Sequence, residues 1–485
     1  MKKIFTLCLL ASAVLAQAKV YTLADLASIV GTLENTYVKN GETITETVGV
    51  TAVGNVYTIT IPTGLAEGVD GIGFDDNNII LSKNYLTLVE GNDLTVNAGE
   101  QLLFAGEAQL EMSGKLTAYD AVFGAAEGSE ATAKGFRLYG DNAGVSMGLC
   151  EFDYVGMNFG STTGHLIMEQ CDFIGHNAKS GNSAINFTSS CGGNSLTTCT
   201  FTNCQLSGVA SGANAGVGIE VQGCQFKRDF AVNRLYPHIN LSLSGNYTVN
   251  IHDNLVEGAC QTCRTGGIAV SNLLGASYTG TVYIRNNYVT GNSYGITLTG
   301  GGNVVIENNE VIGNKYIASA MAGGSGINIT CNTTSAVAKA YMRGNRIEDN
   351  LWGVTVIGNV DINAGKTDDP AAEDYNPGEN TFINNGNGGV LYDWYNNTTA
   401  TSYAQGNTWN VAEQTREQIE TVIFHKTDDA SLGEVIFMPT PPTAITDVKA
   451  DATTGQGRYY NIMGQPVSHP SAGIYIVDGH KVLVK

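Results

Sequence analysis

The sequence comprises 485 residues, of which 45 are acidic and 25 basic, so the formal net charge is −20. Nucleic acid and anionic membranes are poor partners for such a surface, because like charges repel. Glycine is abundant at 60 residues, proline is scarce at 9, and the hydrophobic fraction of 43% argues against disorder. This composition favours a folded chain with many short strands and tight turns.

The first 18 residues have the pattern of a secretory signal peptide. Met1-Lys2-Lys3 precedes an apolar run from Ile4 to Leu15, and Ala16-Gln17-Ala18 supplies small residues for cleavage after Ala18. The run is too short to span a membrane, and no later segment approaches the required length. We therefore expect a secreted protein without a membrane span.

Residues 19–83 are predicted to form an N-terminal cap and the first strands. Apolar residues three or four apart between Val20 and Leu33 predict a short amphipathic helix, and Thr22 with Asp25 has the pattern of a capping box. Residues 44–63 alternate as strands do. A cap of this kind covers the exposed end of a repeat array.

One short phrase recurs between Cys150 and Trp409, at steps of 21 to 36 residues. It consists of Cys or Asn, any residue, and then a bulky apolar residue. A minimum step with occasional insertions indicates a solenoid, in which each turn adds one rung. The first members of the ten pairs, called the ladder residues below, are Cys150, Cys171, Cys199, Cys224, Asn254, Asn287, Asn309, Asn345, Asn380 and Asn407.

Residues 84–440 show short apolar strands separated by glycine, such as Gly295–Leu298 and Gly353–Val356. Strands this short and this regularly spaced pair with the equivalent strand one rung away, in parallel and in register. Stacked Asn side chains can then hydrogen-bond along the array, as amides do in cross-β stacks. The alternative is that each Asn only favours a turn, and both explanations give the same fold.

Three segments of the repeat share a pattern with a known family. They are Asn286–Asn314, Leu94–Ala118 and Gly406–Pro439, and together they cover roughly residues 84–440. The pattern resembles the right-handed parallel β-helix repeats of the pectate-lyase-like superfamily. The resemblance implies an all-β, right-handed parallel β-helix of about 10–13 rungs with short helical caps. It also implies that enzymatic members act mostly on acidic polysaccharides.

Residues 441–485 are predicted to form a linker and a small β-rich tail. Met438-Pro-Thr-Pro-Pro442 breaks regular structure. Tyr460–Gln465, Gly473–Val477 and Lys481–Lys485 resemble the C-terminal sorting signal of the type IX secretion system of Bacteroidetes. That resemblance implies the type IX machinery as a partner and the cell surface or medium as the destination.

The cysteines divide into two groups. The four on the ladder are expected to behave as small buried hydrophobic residues. Cys260 and Cys263 form a lone CxxC, which is compatible with a loop disulfide in a secreted protein. A zinc site needs a second ligand pair at metal spacing, and none lies nearby.

Three sets of residues are candidates for a functional site. The densest ionisable cluster is a weak candidate for a catalytic lyase centre, and an ordinary solvated loop is the alternative: Lys227, Arg228, Asp229, Arg234, His238 and His252. Aromatic residues that could stack on sugar rings are Trp352, Tyr392, Trp394 and Tyr395. The acidic insertion with Asp368, Asp369, Glu373 and Asp374 could hold calcium, and a mobile loop is the alternative.

These features favour a secreted or cell-surface β-helix that binds extracellular carbohydrate or another surface partner. The polygalacturonase signature, which combines an adjacent Asp pair with a Gly-His-Gly motif, is absent, and no catalytic motif is identified. One alternative is a calcium-dependent polysaccharide lyase or epimerase that acts on uronic-acid polymers. The other is a structural or adhesive shaft.

Overall fold

The structure is a computed structural model that describes residues 18–175, 183–228, 236–258, 265–316, 323–439, 458–461, 464–470, 473–477 and 480–484. Most of the predicted signal peptide lies outside these ranges, as do Cys260, Cys263, Asp229 and Arg234. The chain forms two compact units that divide between Met438 and Pro439.

The first unit is a right-handed parallel β-helix, which confirms the predicted fold class. Each turn contributes one strand to each of three sheets, in the order sheet 1, sheet 2, sheet 3. Sheet 1 contains Val20–Thr22, Asp93–Val96, Lys115–Tyr119, Gly144–Gly148, Leu166–Glu169, Cys191–Thr197, Val217–Gln222, Val249–His252, Val282–Arg285, Gly302–Glu307, Ala338–Arg343, Val360–Asn363, Ser402–Tyr403 and Val435–Ile436.

Sheets 2 and 3 complete the turns, and antiparallel strands occur at their N-terminal ends. Sheet 2 contains Thr32–Lys39, Glu42–Val53, Val56–Thr60, Gln101–Ala105, Val122–Ala125, Glu151–Asp153, Asp172–Ile174, Thr200–Thr202, Gln225–Arg228, Leu255–Gly258, Tyr288–Thr290, Glu310–Ile312, Arg346–Glu348 and Thr381–Ile383. Sheet 3 contains Ile72–Phe74, Ile79–Leu81, Leu86–Leu88, Gln109–Met112, Gly135–Tyr139, Gly156–Gly160, Ile185–Phe187, Val209–Ser211, Ile239–Ser242, Ile268–Asn272, Ile296–Gly300, Ser325–Cys331, Trp352–Gly358, Trp394–Asn397 and Ile423–Phe424.

The core consists of identical positions stacked from rung to rung. Because side chains alternate across a strand, each sheet sends every second residue inward. The apolar residue of the repeated phrase forms one such column, in which Phe152, Phe173, Phe201 and Phe226 stack with ring centroids 4.3, 4.9 and 4.6 Å apart. The column buries a continuous apolar strip along the axis.

A tight corner joins sheet 1 to sheet 2 in every rung of the ladder. The residue immediately before each ladder residue has a φ between 51° and 69°. Only three of these ten residues are glycine, and the left-handed conformation costs roughly 1–2 kcal/mol for each of the others. The residues are Leu149, Gln170, Thr198, Gly223, Asp253, Asn286, Asn308, Gly344, Glu379 and Gly406.

Hydrogen bonds between stacked Asn side chains stabilise this corner. The Nδ2 of Asn254 donates to Oδ1 of Asn287 at 2.9 Å, and the same bond recurs through Asn309, Asn345, Asn380 and Asn407 at 2.8–3.0 Å. A second column, through Asn292, Asn314, Asn350 and Asn385, lies at the corner between sheets 2 and 3. The predicted amide ladder is therefore confirmed.

The ladder cysteines are buried and free of disulfides, as expected for small hydrophobic residues. Where the two kinds of ladder residue meet, the backbone N–H of Cys224 donates to Oδ1 of Asn254 at 2.8 Å. The amide column thus continues directly from the thiol column.

Short helices lie near both ends of the first unit. Leu23–Val30 is the predicted N-terminal helix, with Thr22 and Asp25 in a capping box and with Leu23, Leu26 and Val30 buried. Near the C-terminal end of the unit, an α-helical turn at Arg416–Ile419 is followed by a 3₁₀ turn at Glu420–Val422. No helix in the described ranges is long and apolar enough to cross a membrane.

The second unit is a small antiparallel sheet. It pairs Tyr459–Tyr460 with Pro466–Val467 and with Gly473–Val477, and the last of these with His480–Val484. Its resemblance to a sorting signal remains a prediction.

The ladder predicts a large loss of stability on removal of one central amide. Asn309 is fully buried, and its side chain donates to Asn345 and to the carbonyl of Ile284 and accepts from Asn287. We expect Asn309→Ala to lower the free energy of unfolding by about 2–4 kcal/mol, since it leaves buried partners unsatisfied. Chemical denaturation measures this change. Asn240→Ala, on the half-buried outer face of sheet 3, is the control, and equal effects of the two changes would contradict the argument.

Candidate functional site

The outer face of sheet 1 gathers tyrosines and charged side chains into columns. In the rungs from Asn254 to Asn345, the residues four and two positions before the ladder residue both point outward. The first column includes Asn250, Tyr283, Val305 and Tyr341, and the second includes His252, Arg285, Glu307 and Arg343. Tyr403 holds the first-column position in the rung of Asn407.

Tyr283, Val305, Tyr341 and Tyr403 of the first column line a groove of about 500 Å³. Tyr283, Tyr341 and Tyr403 lie along it on alternate rungs, and Lys339, Asp361, Lys366 and Asp374 provide charged groups. All three tyrosines are half-buried. Burial is the main cause that raises the pKa of Tyr341 above its usual value. The groove therefore combines aromatic surfaces with exposed ions.

Every cation of the groove and its margin has a carboxylate partner. Nε of Arg285 lies 2.9 Å from Glu307, and Nε of Arg343 lies 3.0 Å from Glu379. The longer pair, Lys339 with Asp361, has a separation of 4.0 Å, and Lys366 pairs with Asp374. Such exposed pairs stabilise the fold by less than about 1 kcal/mol each, so an external carboxylate can replace a partner at little cost.

Two of these cations also lie over tyrosine rings. The guanidinium carbon of Arg285 is 4.1 Å from the ring centroid of Tyr283, and Nζ of Lys366 is 4.7 Å from that of Tyr403. Stacking of this kind holds both the cation and the ring in place.

His252 lies beside Arg285 in the sheet register, at the edge of the groove. Its Nδ1 is 2.7 Å from Asp253 and its Nε2 is 3.1 Å from Glu220. Partial burial lowers the pKa of this imidazole, but the hydrogen bonds to the two carboxylates outweigh that effect and raise it overall. His252 and Arg285 thus form a pair of neighbouring cations over a wider range of pH than an isolated histidine allows.

The other two sheets present different surfaces. Sheet 2 carries carboxylates outward among Thr, Ile and other side chains, at Glu151, Asp153, Asp172, Glu257, Glu310 and Glu348. The outer face of sheet 3 consists largely of Asn, Ala and Thr side chains. Of the three faces, sheet 1 is the one best suited to an anionic polymer.

The described members of the predicted catalytic cluster do not come together in the structure. Lys227 points outward from sheet 2 and His252 from sheet 1. Arg228 is 0% exposed and donates to Thr265 at 2.9 Å and to the carbonyl of Leu206. His238 is buried as well, and burial lowers its pKa well below the usual value. Adjacent strand residues face opposite sides of the wall, which separates Lys227 from Arg228.

The predicted sugar-stacking platform is wrong for both tryptophans. Trp394 is 0% exposed because it pairs in register with Val354, whose side chain also lies in the core, and Trp352 is 7% exposed. Tyr392 and Tyr395 are half-buried, and the ring of Tyr395 stacks on Phe424 with centroids 4.8 Å apart. These aromatic rings pack mainly on one another.

The predicted calcium loop does not bring its carboxylates together. Asp374 pairs with Lys366, Asp369 accepts the N–H of Ala371, and Asp368 accepts from Gln405. Glu373 is exposed. Within the described ranges, no group of three or more His, Cys, Asp or Glu side chains is arranged to hold a metal ion.

The tyrosines of the groove were missed because each is isolated in the sequence. Tyr283 and Tyr341 stand between unrelated neighbours, and 58 residues of sequence separate the two strand positions. The signal was present, since each tyrosine lies four residues before a ladder Asn. When the sequences of the rungs are aligned on their ladder residues, the tyrosines fall at the same position.

No protein-family model matches the chain, and no curated protein matches its sequence. Among solved structures, the periplasmic alginate epimerase AlgG is similar over 87% of this chain and 84% of its own, with 10% identity and a TM-score of 0.45. The A-module of the Azotobacter vinelandii mannuronan C-5 epimerase AlgE4 is similar over 68% of this chain and 84% of its own, with 12% identity and a TM-score of 0.30. The site rests on the geometry above and takes no argument from these likenesses.

Asp393, within the predicted aromatic site, gives a pH-dependent prediction. The carboxylate is fully buried, burial raises its pKa to about 6, and it accepts from the N–H of Asn410 at 2.8 Å. The folded state therefore binds its proton more tightly than the unfolded state, and stability falls as the pH rises from about 4 to above 6.

We expect Asp393→Asn to remove this pH-dependent contribution to the free energy of unfolding, which amounts to up to about 3 kcal/mol. The measurement is the free energy of unfolding of both proteins between pH 4 and pH 8. The variant should gain stability relative to the wild type as the pH rises, and a constant difference between them would contradict the assignment.

Proposed function

We propose that the protein is an extracellular polysaccharide-binding β-helix whose ligand, an acidic polymer, lies along the outer face of sheet 1. The observation that carries this proposal is the groove in which Tyr283, Tyr341 and Tyr403 alternate with ion pairs. Tyrosine rings present apolar faces to sugar rings, and the hydroxyl groups remain available for hydrogen bonds.

The alternating tyrosines fit the dimensions of an extended polymer. Neighbouring strands lie about 4.8 Å apart, so tyrosines on every second rung recur at roughly 9.6 Å. That distance is comparable to the length of two linked pyranose rings. A polysaccharide parallel to the axis can therefore present every second ring to a tyrosine.

The charge of the polymer follows from the distribution of cations. Arg285, Lys339 and Arg343 lie on sheet 1 and Lys366 follows its strand Val360–Asn363, all in or beside the groove, in a chain with a net charge of −20. Uronate carboxylates can exchange with the protein carboxylates that now occupy these cations. Binding should weaken as salt is added, because the interacting charges are solvent-exposed.

Affinity electrophoresis tests the proposal directly. Gels that contain alginate or polygalacturonate should retard the wild-type protein, and gels that contain neutral galactomannan should not. Tyr341→Ala should weaken retardation by about tenfold, the loss expected for one stacked ring. Tyr288→Ala is the matched control, because Tyr288 is an exposed strand tyrosine on sheet 2.

Two outcomes contradict the proposal. One is the absence of retardation in both acidic gels. The other is equal retardation of the wild type and Tyr341→Ala when circular dichroism shows that both are folded.

A second candidate function is epimerisation or elimination on the bound uronate, and the pair of His252 and Arg285 favours it. Both reactions begin when the C5 proton leaves and its electron pair moves onto the carboxylate, which two adjacent cations stabilise. Return of a proton on the other face gives the epimer, and loss of the 4-linked oxygen gives an unsaturated sugar. The C5 proton needs a base, and the candidate is the phenolic oxygen of Tyr283, whose ring centroid lies 4.1 Å from the guanidinium carbon of Arg285.

This candidate predicts exchange of the substrate's C5 hydrogen. With alginate in deuterated water, NMR should show deuterium at C5, or the ultraviolet absorbance of an unsaturated uronate should appear. Arg285→Ala should reduce either rate by at least about a hundredfold, the loss seen when one transition-state donor is removed. Retention of alginate without either signal would leave binding as the function.

A further inference from the structure

A second depression lies on the same face of sheet 1, towards its N-terminal end. It has a volume of about 540 Å³, and its lining includes Lys115, Thr117, Ser146, His165 and Ile167. The depression arises at Gly144, which pairs with Lys115 on the preceding rung and lies next to His165 on the following one. The missing side chain leaves a notch across the outer face.

An exposed aromatic ring lies beside this notch. Tyr119 is 60% exposed, although it belongs to a regular strand. The edge of its ring lies against Gly148 on the next rung, where an added Cβ would lie 3.1 Å from the ring. The glycine leaves room for the ring, and most of the side chain stays open to a sugar.

Polar groups surround the ring and the notch. Lys115 and His165 are exposed, and Nδ1 of His165 is 2.8 Å from the carbonyl of Gly192, which fixes the orientation of the imidazole. Ile167 adds 46% of its surface as an exposed apolar patch. The notch repeats the combination of aromatic, apolar and cationic groups found in the groove of Tyr341.

The two sites lie on one straight path. Tyr119 and Tyr283 are both on the outer face of sheet 1, six rungs apart. At about 4.8 Å per rung their separation along the axis is roughly 29 Å. A tetrasaccharide is too short to reach both sites, and a dodecasaccharide is long enough.

We propose that the notch with Tyr119 is a second subsite for the same acidic polysaccharide, so that one long chain occupies both sites together. This inference rests on the proposed function of the groove. Once the groove holds one part of the chain, binding at the notch becomes intramolecular, and the affinity for long chains exceeds that for short ones.

Calorimetric titration with size-fractionated oligosaccharides of alginate and polygalacturonate tests the proposal. A dodecasaccharide binds even a single site somewhat more tightly than a tetrasaccharide, because it offers more binding frames, and the Tyr119→Ala variant measures this gain. In the wild type, the gain in affinity from tetrasaccharide to dodecasaccharide should be larger than this by a factor of at least about ten. Tyr119→Ala should lose this additional gain and keep the tetrasaccharide affinity of the groove. Tyr341→Ala should weaken the binding of both lengths.

A second variant fills the notch and leaves Tyr119 in place. Gly144→Val adds a strand-compatible side chain where a Cβ meets only ordinary contacts, the nearest at 3.7 Å. It should also abolish the gain for long chains. Tyr288→Ala, on sheet 2, should leave both affinities unchanged.

The possible outcomes distinguish the second subsite from the function proposed for the groove. If Tyr119→Ala and Gly144→Val bind dodecasaccharides as tightly as the wild type does, while Tyr341→Ala weakens binding, the second subsite is overturned and the groove stands. If the wild type binds neither series, the function proposed for the groove is overturned, and the second subsite with it.

Discussion

The structure depends on one repeated contact, the hydrogen bond between equivalent side chains of successive rungs at the corner between sheets 1 and 2. The corner demands a left-handed backbone conformation before each ladder residue, and most of these residues are not glycine. Bonds such as Asn287 to Asn309 and Asn309 to Asn345 offset that strain inside the core. The ladder corners share this geometry, and beside them the strands from Val249–His252 to Ala338–Arg343 pair in register.

That register is the basis of the candidate site. Tyr283, Tyr341 and Tyr403 share a column because each lies at the same distance from a ladder residue. A rung that slipped by one residue would turn these rings into the core and bring apolar side chains out. The tyrosine column of the groove is thus a direct product of the repeat, and the loop after Val360–Asn363 adds Lys366 and Asp374.

The fold could be predicted from the sequence because the repeated phrase marks the same position in each rung. The ladder, the N-terminal helix and the stacked amides could all be inferred from spacing. The candidate site could not be inferred in this way, because residues that cluster along the sequence do not cluster in the structure. Arg228 and Lys227 are adjacent in sequence but face opposite sides of the wall, whereas His252 and Arg285 are distant in sequence and neighbours in the sheet. The prediction that Trp394 lies on the surface was also wrong. Its sequence neighbours do not reveal that it aligns with the core residue Val354.

The amide column also has a direction. Each Nδ2 donates to the Oδ1 of the next rung, from Asn254 to Asn407, so the six side-chain dipoles align head to tail. Its first acceptor is satisfied by the N–H of Cys224, and its last donor by the carbonyls of Ala364 and Ala404. Aligned hydrogen bonds polarise one another, so this part of the solenoid behaves as a single cooperative block with two closed ends. In the thiol half, weaker bonds connect the rungs at this corner, such as those from Sγ of Cys199 to the carbonyl of Met168 at 3.7 Å and from Sγ of Cys224 to the carbonyl of Leu196 at 3.4 Å. Cys224 is therefore the residue at which the corner contacts change from thiols to amides.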